Sequence, residues 1–328
     1  MAKLSLSVAI GDYDRTRPLV DGVAQIDGVD PVFMLLEPEE IFFRAFRHAE
    51  FDIAELSLSS FCVRTARGDN PYVGVPVFPS RAFRHTAISV RTDRIKQPQD
   101  LKGRVVGVPE YQLTACVWGR AILAEHGVAP SDVTWVRGGL EQPGRVEKIA
   151  LNLPADVRLE SIPAGATLSD MLERGEIDAV LSPRIPSCQE RGAPHVGWLF
   201  PDTVAAASDY FRRTGIFPIM HVLGVRKELA QAHPWLPAAA LKGFTQAKAT
   251  AMARLADTSA SKVMLPFVED RLAAARALMG ADYWSYGLEA NRAVLETFLE
   301  HHHGQGLSAR RLTADELFHP ATHETARI

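Results

Sequence analysis

The stretch "RVVGVPEYQLTACVWGRAILAEHG", Arg104 to Gly127, reads as a strand, a short loop and a helix in immediate succession. Val105, Val106 and Val108 have the branched side chains that suit a pleated, buried strand. Pro109 cannot continue it. Beyond the loop "PEYQLT", Leu113, Cys116, Val117, Ala121 and Ala124 recur at helical spacing, and Gly127 is a fitting C-terminal stop. A strand feeding directly into a helix is the repeating unit of an α/β fold.

Read outward, the same alternation covers most of the chain. Upstream, "LSLSVAI" (4–10) alternates with period two and ends in the turn "GDYD". "DPVFMLL" (30–36), "FDIAEL" (51–56), "YVGVPVF" (72–78) and "TAISVR" (86–91) read as further strands. Helices are expected over 37–48, with acidic residues in the first turn, and over 57–68, closing at Gly68. Downstream, "VTWV", "VRLESI", "DAVLSP", "HVGWLF" and "PIMHVLGV" (218–225) are strand-like, with helices over "TLSDMLERGEI" and "DTVAAASDYFRRTG". The remainder is mostly helical: Leu236, Ala240, Phe244, Ala247, Ala251 and Leu255 form one apolar stripe, and "LEANRAVLETFLE" forms another. This pattern predicts mainly parallel sheets with helices on both faces, split into two lobes. The expected lobe I comprises residues 1–95 plus 200–328, discontinuous and carrying the C-terminal helices; lobe II comprises 96–199. A ligand would then lie in a cleft between lobes, near the carboxyl ends of strands.

Composition narrows the function classes. The chain has 328 residues, 47% hydrophobic and 23% charged, with a formal net charge of −3. That length fits two lobes with a substantial core. The basic residues are dispersed, which disfavours nucleic acid. No run reaches the roughly 18 apolar residues of a membrane span. The opening "MAKLSLSVAIGDYD" lacks an apolar signal-peptide region, so a cytoplasmic protein is expected. Cys62, Cys116 and Cys188 are odd in number and widely spaced, without a disulfide framework or metal-ligand spacing. His301, His302 and His303 are contiguous and fan around a helix, so no metal site is assigned.

Local cation clusters remain. "SRAFRH", Ser80 to His85, places Arg81, Arg84 and His85 between two strand-like segments. A solvated charge run and an anion site both fit; guanidinium suits a bidentate grip on carboxylate. In extended backbone Arg81 and Arg84 face opposite ways unless the chain bends. The helix start after "GVPEYQ" offers backbone N–H groups to an anion, with Tyr111 and Thr114 as hydroxyl donors, although Thr114 also fits an ordinary helix cap. "TGIFPIMH" delivers His221 near the start of a strand; a core histidine and a functional one both fit. Arg184 follows "DAVLS", and Asp12, Arg15 and Arg17 follow the first strand.

Taken together, "SRAFRHTAISV", "GVPEYQLTACVWGR", "WVRGGLEQPGR", "RGEIDAVLSP", "YFRRTGIFPIMHVLGVRKEL", "HPW" and "GADYWSYG" resemble the 4,5-dihydroxyphthalate decarboxylase family, from "DRTRPLVDG" to "QGL". The resemblance implies the type II periplasmic binding protein-like fold and a non-oxidative carboxy-lyase, converting 4,5-dihydroxyphthalate to protocatechuate plus carbon dioxide. It implies no cofactor: each carboxylate is para to a hydroxyl, so the ionised phenol serves as the electron source. His85 and His221 are the expected acid–base groups. Arg81 and Arg84 would hold carboxylate, Tyr111 and Thr114 the other anionic group, and Arg15 and Arg184 would be auxiliary clamps. Phe83, Phe217 or Trp284 would supply an apolar patch for the departing carboxylate. The expected partner is a small aromatic dicarboxylate; a homo-oligomer is compatible with the sequence. The alternative is a solute-binding protein delivering an aromatic carboxylate or pyrimidine to an ABC-type transporter.

Overall fold

The computed structural model describes residues 3–324. The chain opens with β1 (Leu4–Ile10), β2 (Val29–Leu35), β3 (Ile53–Ser57) and β4 (Tyr72–Val75). It continues with β5 (Ile88–Arg91), β6 (Val105–Val108), β7 (Thr134–Arg137), β8 (Arg158–Ser161), β9 (Ala179–Leu181) and β10 (Val196–Trp198), then β11 (His221–Arg226). Among the described residues these form a five-stranded sheet, ordered β2-β1-β3-β11-β4, and a six-stranded sheet, ordered β10-β5-β9-β6-β7-β8. Each sheet has a parallel part, joined through helices, and an antiparallel part. β11 runs antiparallel to β3 and β4, and β5 antiparallel to β9 and β10.

The chain divides into two compact units, one around each sheet. The first takes the chain up to Arg81, Ile219–Glu296 and the chain from Leu312; the second takes Ala82–Pro218 and Thr297–Arg311. The expected boundaries at 95/96 and 199/200 are therefore corrected. β5 hydrogen-bonds into the second sheet, so "SRAFRH" is itself a crossing between the units rather than the interior of one lobe. Helix Thr203–Thr214 packs on the turn at Arg84–Ala87 of the same unit. Phe298, from a much later helix, tilts against Trp118 with ring centroids 5.4 Å apart. No change of composition marks these crossings: those at Arg81/Ala82 and Pro218/Ile219 are short extended segments, and the one at Glu296/Thr297 falls inside helix Arg292–Gly304.

Local rules account for most element ends. β1 alternates because Leu6 and Val8 are buried in the sheet, with Val8, Ala9 and Ile10 fully so. Helix Leu58–Arg67 ends at Gly68 with φ 78°, the left-handed conformation glycine adopts without steric cost. β4 stops where Pro76 removes a ladder donor. Helix Thr114–Glu125 is buried on every side from Thr114 to Leu123, which exceeds the single stripe its spacing predicts. Arg120 is 1% exposed there: its guanidinium lies 3.8 Å from the Tyr111 ring centroid and donates to Gln305 Oε1 at 2.7 Å.

Candidate functional site

In the first unit the sheet register builds a buried cluster. Glu55 of β3 pairs opposite Leu223 of β11, and His221 opposite Ser57, so Glu55 and His221 are diagonal neighbours on one face. His221 Nδ1 lies 2.5 Å from Glu55 Oε1. β1 runs parallel to β3 and ends beside the same carboxylate, where the Gly11 amide donates to Oε2 at 2.9 Å. The turn beyond it brings the Tyr13 hydroxyl to Oε1 at 3.0 Å. Thr16 fixes that turn, accepting from the Tyr13 amide and donating to the Gly11 carbonyl.

Burial acts to raise the pKa of the fully buried Glu55 carboxyl. The hydrogen bond and charge of His221, with the Gly11 and Tyr13 donors, overcome burial and hold it below the usual range. Burial, then the charge of Glu55, pushes the Tyr13 phenol up. The His221 side chain is 17% exposed, meets Phe42 edge-on at 4.8 Å, and makes no hydrogen bond through Nε2 among the described residues.

Arg15 lies beside this cluster, sandwiched between the rings of Tyr13 (4.2 Å) and Trp284 (4.4 Å). Its Nε donates to Pro79 O at 2.5 Å and its Nη1 to Asp14 Oδ1 at 3.0 Å, while Nη2 bonds nothing among the described residues. Such a fixed, stacked guanidinium with a spare donor suits an oxyanion. Trp284 is itself anchored, its indole N–H donating to Phe78 O at 2.9 Å. Two residues on, Tyr286 is 8% exposed and its buried hydroxyl has no hydrogen-bond partner.

Arg81 behaves differently from expectation. It is 6% exposed, donates to Ser285 O at 2.8 Å and to Asn291 Oδ1, and packs over the Phe78 ring. Burial pulls its pKa down to about 10. These bonds hold the segment that carries Trp284 and Tyr286. Arg17 and Asp12 pair with each other on the surface.

The second unit holds the other expected residues. The chain bends at "SRAFRH" into a 3₁₀ turn over Arg84–Ala87. Arg84 is half-buried beside Cys116, and burial lowers its pKa to about 10. Thr114 is the first residue of its helix, not the cap; Leu113 holds that place and has no side-chain acceptor. Tyr111 is fully buried, edge-on to Trp135 at 5.9 Å and under Arg120, so nothing of it reaches solvent. His85 is 4% exposed, between Phe200 (5.1 Å) and Tyr210 (5.5 Å), with Nδ1 unpartnered. Burial, aided by His126 and Arg213, lowers its pKa to about 4, which removes the near-neutral titration expected of it. Arg184 is exposed just beyond β9. Phe83 and Phe217 stack at 4.8 Å, with Phe211 edge-on to Phe83.

Sequence reading missed Glu55, Tyr13 and Tyr286. The signal for Glu55 was present: a carboxylate set among Ile53, Ala54 and Leu56 requires a partner once that strand is buried. Tyr13 and Tyr286 carry no comparable mark.

Comparison places this architecture. The periplasmic aliphatic sulphonate binding protein of Escherichia coli superposes with a TM-score of 0.56 at 13% identity, over 98% of this chain and 99% of that one. The alkanesulfonate-binding protein of Xanthomonas axonopodis pv. citri, bound to MOPS, gives 0.52 at 13% identity over 98% of each chain. A family model described as NMT1/THI5 like matches residues 80–143. The chain thus has the type II periplasmic binding protein-like fold. A 4,5-dihydroxyphthalate decarboxylase of Comamonas testosteroni is 60% identical over the whole of both chains. Another, from Pseudomonas putida, is 64% identical over 65% of this chain and 83% of its own. The chain belongs to the 4,5-dihydroxyphthalate decarboxylase family.

Proposed function

We propose that this protein decarboxylates 4,5-dihydroxyphthalate without oxidation, yielding protocatechuate and carbon dioxide. The observation that carries the reading is 60% identity to a decarboxylase across the full length of both chains. The reaction asks three things of a site. A phenolic hydroxyl must lose its proton, so that electron density reaches the para carbon. That carbon must gain a proton. The C–C bond must then break, its electron pair returning to the ring as neutral carbon dioxide departs.

His221 is the proposed acid–base group, since it combines partial exposure, an unbonded Nε2 and a carboxylate partner on Nδ1. Arg15 is the proposed partner of the retained carboxylate, supported by its aromatic sandwich and spare Nη2. Binding the departing carboxylate equally tightly would stabilise substrate more than transition state, so a single strong clamp on the retained group is favoured. Arg84 and Thr114 remain proposed anion contacts; Arg184 has exposure as its only support.

The test is direct. Purified protein is incubated with 4,5-dihydroxyphthalate, and carbon dioxide and protocatechuate are quantified. Stoichiometric release of both supports the reading. Tight binding without turnover would refute it and favour a solute-binding role.

A further inference from the structure

We infer that Glu55 is the positioning residue of the proposed reaction, holding His221 in the tautomer that leaves Nε2 bare. The inference rests on the acid–base role proposed for His221. It begins from a cost: Glu55 is 0% exposed in the middle of a sheet, where an ionised carboxylate is expensive. Glutamine has nearly the same shape, would satisfy the Gly11 amide and would avoid that cost. The carboxylate therefore needs a reason that an amide could not supply.

Its contacts give one. An ionised carboxylate only accepts hydrogen bonds. With Gly11 N–H on Oε2 and the Tyr13 hydroxyl on Oε1, both oxygens are fixed in direction. The 2.5 Å contact to His221 Nδ1 then requires that Nδ1 carry the proton. In the neutral ring Nε2 is then left with its lone pair, on the nitrogen that bonds nothing else among the described residues. When Nε2 takes a proton, the imidazolium forms against an anion already in place, and no group has to reorganise. An amide at position 55 that kept its oxygen on the Gly11 N–H would turn its NH2 to Nδ1 and favour the opposite tautomer. The sheet register makes the arrangement rigid: both side chains project from paired strands, while Phe42 closes on the imidazole.

Three measurements test this. The first is the ¹⁵N spectrum of histidine-labelled protein, with the His221 signals assigned by their loss in His221→Gln. In the neutral ring a protonated Nδ1 and a bare Nε2 are expected in the wild type. The second is the kinetics of Glu55→Gln: kcat should fall about 10²- to 10⁴-fold, with KM within about threefold. The third is Glu55→Asp, which keeps the charge and should recover at least tenfold of that loss. A role confined to holding the Gly11 turn predicts equal effects of Gln and Asp and an unchanged tautomer, and that result would overturn the inference. If Glu55→Gln fails to fold, the wild-type spectrum decides alone: a neutral His221 ring with its proton on Nε2 rejects it. A wild type that releases no carbon dioxide would refute the proposed reaction while leaving the tautomer measurement intact.

Discussion

His85 and His221 make opposite predictions, and His85 gives the sharper number. Replacing His85 by Phe keeps a ring between Phe200 and Tyr210 and deletes the unpartnered Nδ1. Removing a buried, unsatisfied polar atom gains about 1–3 kcal/mol, while the larger ring costs a similar amount in overpacking. At neutral pH the variant should therefore lie within about 1 kcal/mol of wild type. Acid separates them. Burial lowers the pKa of His85 from its ordinary 6.5 to about 4 in the folded state. Between those values the unfolded chain binds the proton and the folded one does not, so stability is full above pH 6.5 and falls as pH drops towards 4. The loss from this one group is about 2 kcal/mol by pH 5 and about 3 kcal/mol by pH 4. Urea unfolding of wild type and His85→Phe at pH 7.5 and pH 5 measures the difference. The variant should lose about 2 kcal/mol less over that interval, with kcat within about threefold. Parallel pH dependence in the two proteins, or a kcat lowered a hundredfold, would refute the reasoning and return His85 to the chemistry.

Three further substitutions divide the site by role. His221→Gln should reduce kcat by about 10²- to 10⁴-fold, read from initial rates of carbon dioxide release, with substrate affinity largely kept. Arg15→Ala should raise KM about ten- to a hundredfold, from the loss of a charge-assisted hydrogen bond worth about 1.5–3 kcal/mol; isothermal titration with product checks the same contact without turnover. Arg81→Met should lower the urea midpoint by an amount equivalent to about 1–3 kcal/mol, because Ser285 O and Asn291 Oδ1 lose a buried donor. In folded Arg81→Met protein, a KM change comparable to that of Arg15→Ala would contradict the supporting role.

The α/β class and most elements were legible because they depend on local pattern. β1 lies where its period-two alternation places it, and the helix ending at Gly68 stops where an αL residue is needed. The unit boundaries were not legible. They depend on which sheet β5 joins, and strand pairing at long separation leaves no local trace. The candidate site was half legible for the same reason. His221 was visible as a histidine at a strand start, but Glu55 becomes its partner only through the β3–β11 register. Arg81, Tyr111 and His85 looked functional because charge and hydroxyls near strand ends suggest a ligand. All three are buried and packed, which residue type alone does not reveal.

The second unit draws its last pieces from far along the chain. Gln305 receives the Arg120 Nε hydrogen bond and donates to Val117 O at 3.0 Å, and Phe298 covers Trp118. At ordinary translation speed, the interval from Pro218 to Arg311 is about five to twenty seconds of synthesis. During that time the helix around Trp118 waits with an aromatic face and a buried-to-be guanidinium still wet. A ribosome stalled between Arg226 and Thr297 would hold a chain with every strand of both sheets made but with the second unit unsealed, a natural target of a chaperone.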